Sequence, residues 1–248
     1  GYTTDLLKTV NWPFQKSESR GITDEKHIVS LPYNDLENSI RILKSISNDL
    51  AAVIIEPVLG GGGCIPATKE YLTGIEEFCH KNNSLFILDE IVTGFRFRYG
   101  CLYDTMKLEP DIVTLGKIVG GGFPIGVICG KDEFMNYANT SLFSKSNRAY
   151  IGGGTFSANP LSMIAGESTL RMIKNKGNTL YERLNRFGSK TRKMLDKKFA
   201  GDVITTGVGS LFLTHFLKGK ITEIKNSTDA AKCNIQKLHD YHFHMIAN

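Results

Sequence analysis

The sequence predicts an α/β fold: a mainly parallel sheet with helices on both faces, followed by the start of a smaller α+β domain. Three observations predict it. Residues 51–58, AAVIIEPV, are a nearly continuous β-branched apolar run, the pattern of a strand covered on both faces of a parallel sheet. Tyr71, Leu72, Ile75, Phe78 and Cys79 then recur at helical spacing behind a Thr68 cap. Further short apolar runs at 85–88, 112–115 and 125–129 are separated by segments long enough for the crossover connections that parallel neighbours need.

Each element follows in turn. Asn82-Asn83-Ser84 ends the first helix, and Leu85-Phe-Ile-Leu88 is a strand that stops at Asp89-Glu90. Ile112-Val-Thr-Leu115 stops at Gly116-Lys117. Residues 160–174 read as a helix burying Leu161, Ile164, Ala165, Ser168, Leu170 and Met172, and 180–199 as another, with a break at Lys176-Gly177-Asn178. Residues 211–217 read as a strand and 228–246 as a helix of a second domain. The expected division is therefore 1–176, a large domain lacking its N-terminal part, and 177–248, a connecting helix with an incomplete small domain.

Composition narrows the function classes. The chain has 248 residues, 41% of them hydrophobic and 22% charged, with a net charge of +5. Ten basic and two acidic side chains between 171 and 198 make that stretch +8 and the remainder −3. The cluster alternates with Leu184, Phe187, Met194 and Leu195, so it reads as the solvated face of an amphipathic helix pair; no aromatic-studded basic face or recognisable module points to nucleic acid. The longest low-charge run, 114–130, holds Lys117 and six glycines and falls short of a membrane span. Five scattered cysteines without CxxC spacing indicate a reducing, cytoplasmic compartment.

Several familiar signals fail on spacing. Asp111 stands where a P-loop ending at Gly116-Lys117 needs its first glycine, and no glycine cluster fits GxGxxG. His239, His242 and His244 lack a familiar metal-ligand spacing, and no metal is expected.

What remains is an acid, a lysine and glycine-rich turns at strand ends. Ligands of open α/β sheets bind beyond the carboxyl ends of the strands, where Glu56, Asp89 and Lys117 stand. Partial desolvation at the strand end would lower the pKa of Lys117 and favour a nucleophilic amine, the alternative being a lysine that snorkels out to solvent. Asp89 needs a charged or hydrogen-bonding partner. Gly152-Gly-Gly154-Thr155, just before a helix, offers N–H groups and a hydroxyl to a phosphate. Together these parts suit pyridoxal 5′-phosphate, which uses a lysine amine, an acid at its ring nitrogen and a phosphate cradle.

The segments Ile55-Glu-Pro-Val-Leu-Gly60, Leu88-Asp-Glu-Ile-Val-Thr-Gly-Phe-Arg96, Pro110-Asp-Ile-Val-Thr-Leu-Gly-Lys-Ile-Val-Gly-Gly-Gly122 and Gly154-Thr-Phe-Ser-Ala-Asn-Pro160 resemble the class III aminotransferases of fold type I. The resemblance implies that Lys117 binds the aldehyde of pyridoxal 5′-phosphate, that Asp89 partners its ring nitrogen, and that Ile91 packs on the ring. It implies that Gly154 and Thr155 reach the phosphate of a neighbouring subunit, hence a homodimer with shared active sites acting on a small amino-acid-like substrate. Val92 and Pro32-Tyr-Asn-Asp35 resemble the aminomutase branch of the family, which moves an amino group within one molecule. Gly61 departs from that branch, which places an Asn there, and residues 139–150 are longer and more polar than the family pattern.

Overall fold

The computed structural model describes residues 28–139, 141–142, 147–149 and 156–247. In chain order the elements are α1 (Leu36–Ser45), β1 (Ala52–Ile55), β2 (Val58–Leu59), β3 (Ile65–Pro66), α2 (Lys69–Lys81), β4 (Leu85–Asp89), α3 (Leu102–Met106), β5 (Ile112–Gly116), β6 (Gly126–Gly130), α4 (Asp132–Met135), α5 (Pro160–Lys198), β7 (Val203–Val208), β8 (Leu211–Phe216), α6 (Ser227–Ala231) and α7 (Ile235–Ala247). The described residues fall into two compact units: those of 46–57 and 72–183, and those of 28–45, 58–71 and 184–247.

The first unit is built on a four-stranded sheet in the order β1-β4-β5-β6. β1, β4 and β5 run parallel, in the register Ile55↔Leu88 and Leu88↔Val113, and β6 closes the order antiparallel to β5. Phe86 and Leu88 are fully buried, as are Leu72, Ile75 and Cys79 of α2. Burying each such side chain is worth about 1.5–3 kcal/mol. The expectation that 51–58 is one strand covered on both faces is corrected: Ile54 is 44% exposed, and the strand stops at Ile55. Pro57 has no N–H to donate to a ladder, so the run divides into β1 and β2.

At the amino ends of the strands, Asp111 is buried and accepts hydrogen bonds from Phe86 N (2.8 Å) and Lys131 Nζ (2.6 Å), with His80 Nε2 3.4 Å away. Burial pushes its carboxyl up, but the Lys131 ammonium and the Phe86 amide outweigh burial and hold it below the ordinary carboxylate range. A carboxyl whose pKa is depressed on folding contributes stability above its unfolded pKa, and that stability is lost as pH falls through the folded value. Asp111→Asn is therefore expected to cost about 1.5–3 kcal/mol at neutral pH. Denaturant melts should show the gap from wild type closing once the pH drops below about 3.9.

Helix α5 carries non-helical backbone at Gly177 (φ 59°, ψ −157°), the break that the sequence predicts. Its buried face is not the predicted one. Leu161, Ile164 and Met172 are more than half exposed, whereas Ser162, Gly166 and Ile173 are buried. Close approach explains the difference: a Cβ on Gly166 would run into Val119 O, one on Gly121 would run into Ala165 O, and Ser162 Oγ donates to Pro124 O at 2.8 Å. Only small residues admit this contact. Gly166→Ala is expected to destabilise the protein by about 1–3 kcal/mol through overpacking, measurable as a lowered midpoint in urea at unchanged m-value.

In the second unit, β7 and β8 pair antiparallel through Gly209-Ser210, with Gly209 at φ 54°. His215 on β8 is 1% exposed; its Nε2 lies 3.0 Å from Gly63 O and 2.9 Å from Thr206 Oγ1, pinning the β2–β3 turn. The helix expected over 228–246 is interrupted at Lys232-Cys233-Asn234, where Asn234 caps the start of α7 by accepting from Lys237 N. Among the described residues the basic side chains of 171–198 are exposed apart from Arg192, which is half-buried and donates to Gly207 O. No described helix is long and apolar enough to cross a membrane.

Candidate active site

Within the sheet unit, β4 and β5 are neighbours and parallel, so their carboxyl ends lie side by side, with Asp89 paired to Thr114. Both side chains project from the same face, and Thr114 Oγ1 donates to Asp89 Oδ1 at 3.1 Å. The chain then turns sharply, and Ile91 N donates to the same oxygen at 3.0 Å. Oδ2 accepts no hydrogen bond among the described residues, and no cation there pairs with Asp89. The half-buried carboxylate is thus oriented through one oxygen, while the other remains available.

Lys117 follows β5 directly and opens a one-turn 3-10 helix, Lys117–Gly120. Its φ of 49° is left-handed, a conformation that costs a non-glycine residue about 1–2 kcal/mol. Strain of this kind persists where surrounding packing over-determines it, here by the tight seat of Val119–Gly121 on α5. The desolvation expected of Lys117 is corrected: its side chain is exposed, and it has no hydrogen bond or ion pair among the described residues. The strand ends at Gly116, and the left-handed turn takes Lys117 out of the sheet's alternation. Ile91 is half-buried against Gly116, where an added Cβ would lie 3.2 Å from Ile91 Cγ2.

The structure thus brings Asp89, Ile91 and Lys117 to adjacent strand ends. Gly154 and Thr155 lie outside the described residues. Sequence reasoning missed Thr114, although a lone polar residue inside the run Ile112-Val-Thr-Leu115, two residues before Gly116, was the available signal. It also missed Glu90 and Tyr181. Glu90 is fully buried, and Tyr181 is 5% exposed with its hydroxyl on Phe95 O at 3.1 Å.

The donor set fits the cofactor that the resemblance implies: a primary amine and a carboxylate oxygen, neither with a partner among the described residues, and an apolar side chain, Ile91, packed against Gly116. Asp89 would meet a protonated ring nitrogen, Lys117 an aldehyde, and Ile91 a ring face.

Comparison with known proteins agrees. The family model for aminotransferase class-III matches residues 12–229. A glutamate-1-semialdehyde 2,1-aminomutase of Wigglesworthia glossinidia brevipalpis is 38% identical over 219 residues, covering 86% of this chain and 47% of that protein. One from Fusobacterium nucleatum subsp. nucleatum is 35% identical over 239 residues, covering 93% and 52%. Among solved structures, an omega-transaminase from Sphaerobacter thermophilus aligns with a TM-score of 0.76 at 28% identity, over 86% of this chain and 48% of that one. A beta-phenylalanine aminotransferase from Variovorax paradoxus aligns with a TM-score of 0.73 at 27% identity, over 88% and 50%. The chain spans about half the length of the curated relatives it matches. By sequence and by fold, it belongs to the class-III aminotransferase family.

Proposed function

We propose that this chain supplies the lysine and the acid of a pyridoxal 5′-phosphate-dependent site that converts glutamate-1-semialdehyde to 5-aminolevulinate, a tetrapyrrole precursor, by moving an amino group within one molecule. The observation that carries this reading is Asp89 and Lys117 at the carboxyl ends of adjacent parallel strands, with Asp89 oriented by Thr114 and Ile91. The aminomutase name of the relatives at 38% and 35% identity supports the substrate.

When bound, the cofactor supplies an aldehyde that takes up an amine and a protonated ring that draws electrons from the substrate carbon. Lys117 Nζ removes a proton from the carbon bearing the amine and returns one, as a general base and then a general acid. Asp89 holds the proton on the ring nitrogen; because ring charge changes most as the transition state forms, its contribution appears mainly in kcat. Ile91 supports the ring face. Gly154 and Thr155 are assigned to the phosphate of a neighbouring subunit, which makes the working form a homodimer. A cytoplasmic location is supported by five cysteines, none of them in a disulfide.

A second reading, a class-III aminotransferase or racemase acting on another amino acid, is favoured by one feature: Gly61 stands where the aminomutase branch carries Asn, and a Cβ there would meet nothing within 4 Å. Incubation with pyridoxal 5′-phosphate and glutamate-1-semialdehyde tests the two. Formation of 5-aminolevulinate without a keto-acid acceptor supports the aminomutase. Amino transfer from another amino acid to a keto acid, without 5-aminolevulinate, supports the second reading.

A further inference from the structure

We propose that Glu90 is a positioning residue for this site: its buried carboxylate ties the 91–103 segment back to the end of β4 and thereby keeps the Ile91 amide on Asp89 Oδ1. Glu90 follows Asp89 directly, so strand alternation sends its side chain to the opposite face from Asp89 and Thr114. There it is 0% exposed. Its Oε2 accepts from Thr93 Oγ1 (2.9 Å) and Leu102 N (2.8 Å), and its Oε1 accepts from Tyr103 N (3.0 Å).

Leu102 and Tyr103 open α3, whose N-cap residue, Cys101, makes no side-chain cap. The first N–H groups of a helix have no intrahelical partner; here Glu90 supplies it from 12 residues upstream. The backbone of Glu90 is engaged as well, its N–H donating to Thr114 O (2.9 Å) and its carbonyl accepting from Gly94 N (2.8 Å). Between these anchors the chain folds into nested turns, Arg96 N to Thr93 O (3.0 Å) and Phe95 N to Gly100 O (2.9 Å), with Tyr181 Oη on Phe95 O. Ile91 leaves the strand at the root of this loop. Without the Glu90 carboxylate, Thr93 and the start of α3 are released, the loop pulls on Ile91, and Asp89 Oδ1 keeps only Thr114.

Glutamine cannot substitute. Both oxygens of Glu90 accept from a backbone N–H, so either orientation of the amide sets its NH2 against a donor. Thr93→Val is the milder variant, removing one donor at nearly constant shape.

The effect on turnover rests on the function proposed above for Asp89 and Lys117; the clamp itself does not. Hydrogen exchange on the protein without cofactor reads the clamp directly. In Glu90→Gln the amides of Ile91, Leu102 and Tyr103 should exchange faster by roughly 10–100-fold, those of Val53 and Ile55 in β1 should not change, and Thr93→Val should lie between. With pyridoxal 5′-phosphate and substrate, kcat should fall in the order wild type, Thr93→Val, Glu90→Gln, at nearly unchanged KM. Unchanged exchange at Ile91 in both variants overturns the proposal, whether or not the wild type turns over substrate. So does acceleration in β1 equal to that at Ile91, which marks a core residue alone, or an unaltered kcat alongside local opening. If Glu90→Gln does not fold, Thr93→Val carries the same measurements. An inactive wild type refutes the proposed function and leaves exchange to decide the clamp.

Discussion

Lys117→Ala is expected to lower turnover of glutamate-1-semialdehyde by roughly 10²–10⁴-fold through the lost proton transfer alone, with a further loss from the missing nucleophilic amine. The protein itself should remain folded. Lys117 is exposed and has no partner among the described residues, so its removal leaves no buried group unsatisfied. Its φ of 49° adds an internal control. Lys117→Gly relieves a left-handed conformation that Lys117→Ala retains, so the Gly variant should be the more stable by about 1 kcal/mol while being equally inactive. Thermal melts and single-turnover assays on the two variants separate the backbone's contribution from the amine's. Residual activity within tenfold of wild type in either variant would remove Lys117 from the chemistry.

The second large effect is expected at Asp89. In Asp89→Asn the side-chain amide oxygen can keep both donors, Ile91 N and Thr114 Oγ1, so the local fold should hold. The NH2 then takes the Oδ2 position, offering a donor in place of an acceptor and no negative charge to keep a ring nitrogen protonated. Loss of one preorganised charge contact of this kind costs roughly 10²–10³-fold in kcat. Cofactor retention should weaken less than turnover, because the charge matters most as the transition state forms. Steady-state kinetics with a separate titration of pyridoxal 5′-phosphate check the split; a proportionate loss of both would mean that Asp89 serves binding alone.

Much of this site is legible in the sequence, because apolar runs that stop abruptly mark the carboxyl ends of strands. Leu85–Asp89 and Ile112–Gly116 are such runs, and once the strands pair in parallel the polar residues Asp89 and Lys117 stand at the carboxyl ends of neighbouring strands. Other parts are hidden for physical reasons. Thr114 looks like a β-branched strand residue until register places it beside Asp89. β7 reads Val-Ile-Thr-Thr-Gly-Val, too poor in large apolar residues to stand out, although Gly209-Ser210 ahead of Leu211 is a hairpin signal. The buried face of α5 is set by backbone approach at Gly166 and Ser162, which a count of large apolar residues reads backwards. Glu90 is concealed by its neighbour: in an acidic pair at a strand end, only alternation decides which carboxylate faces the site and which faces inward.

Chemical trapping identifies the lysine that takes up the cofactor. The protein is incubated with pyridoxal 5′-phosphate, reduced with borohydride and digested, and the modified peptide is identified by mass spectrometry. One reduced adduct should form, on Lys117, and its yield should collapse in Lys117→Ala. An adduct confined to another lysine, or one of equal yield in Lys117→Ala, would contradict the account.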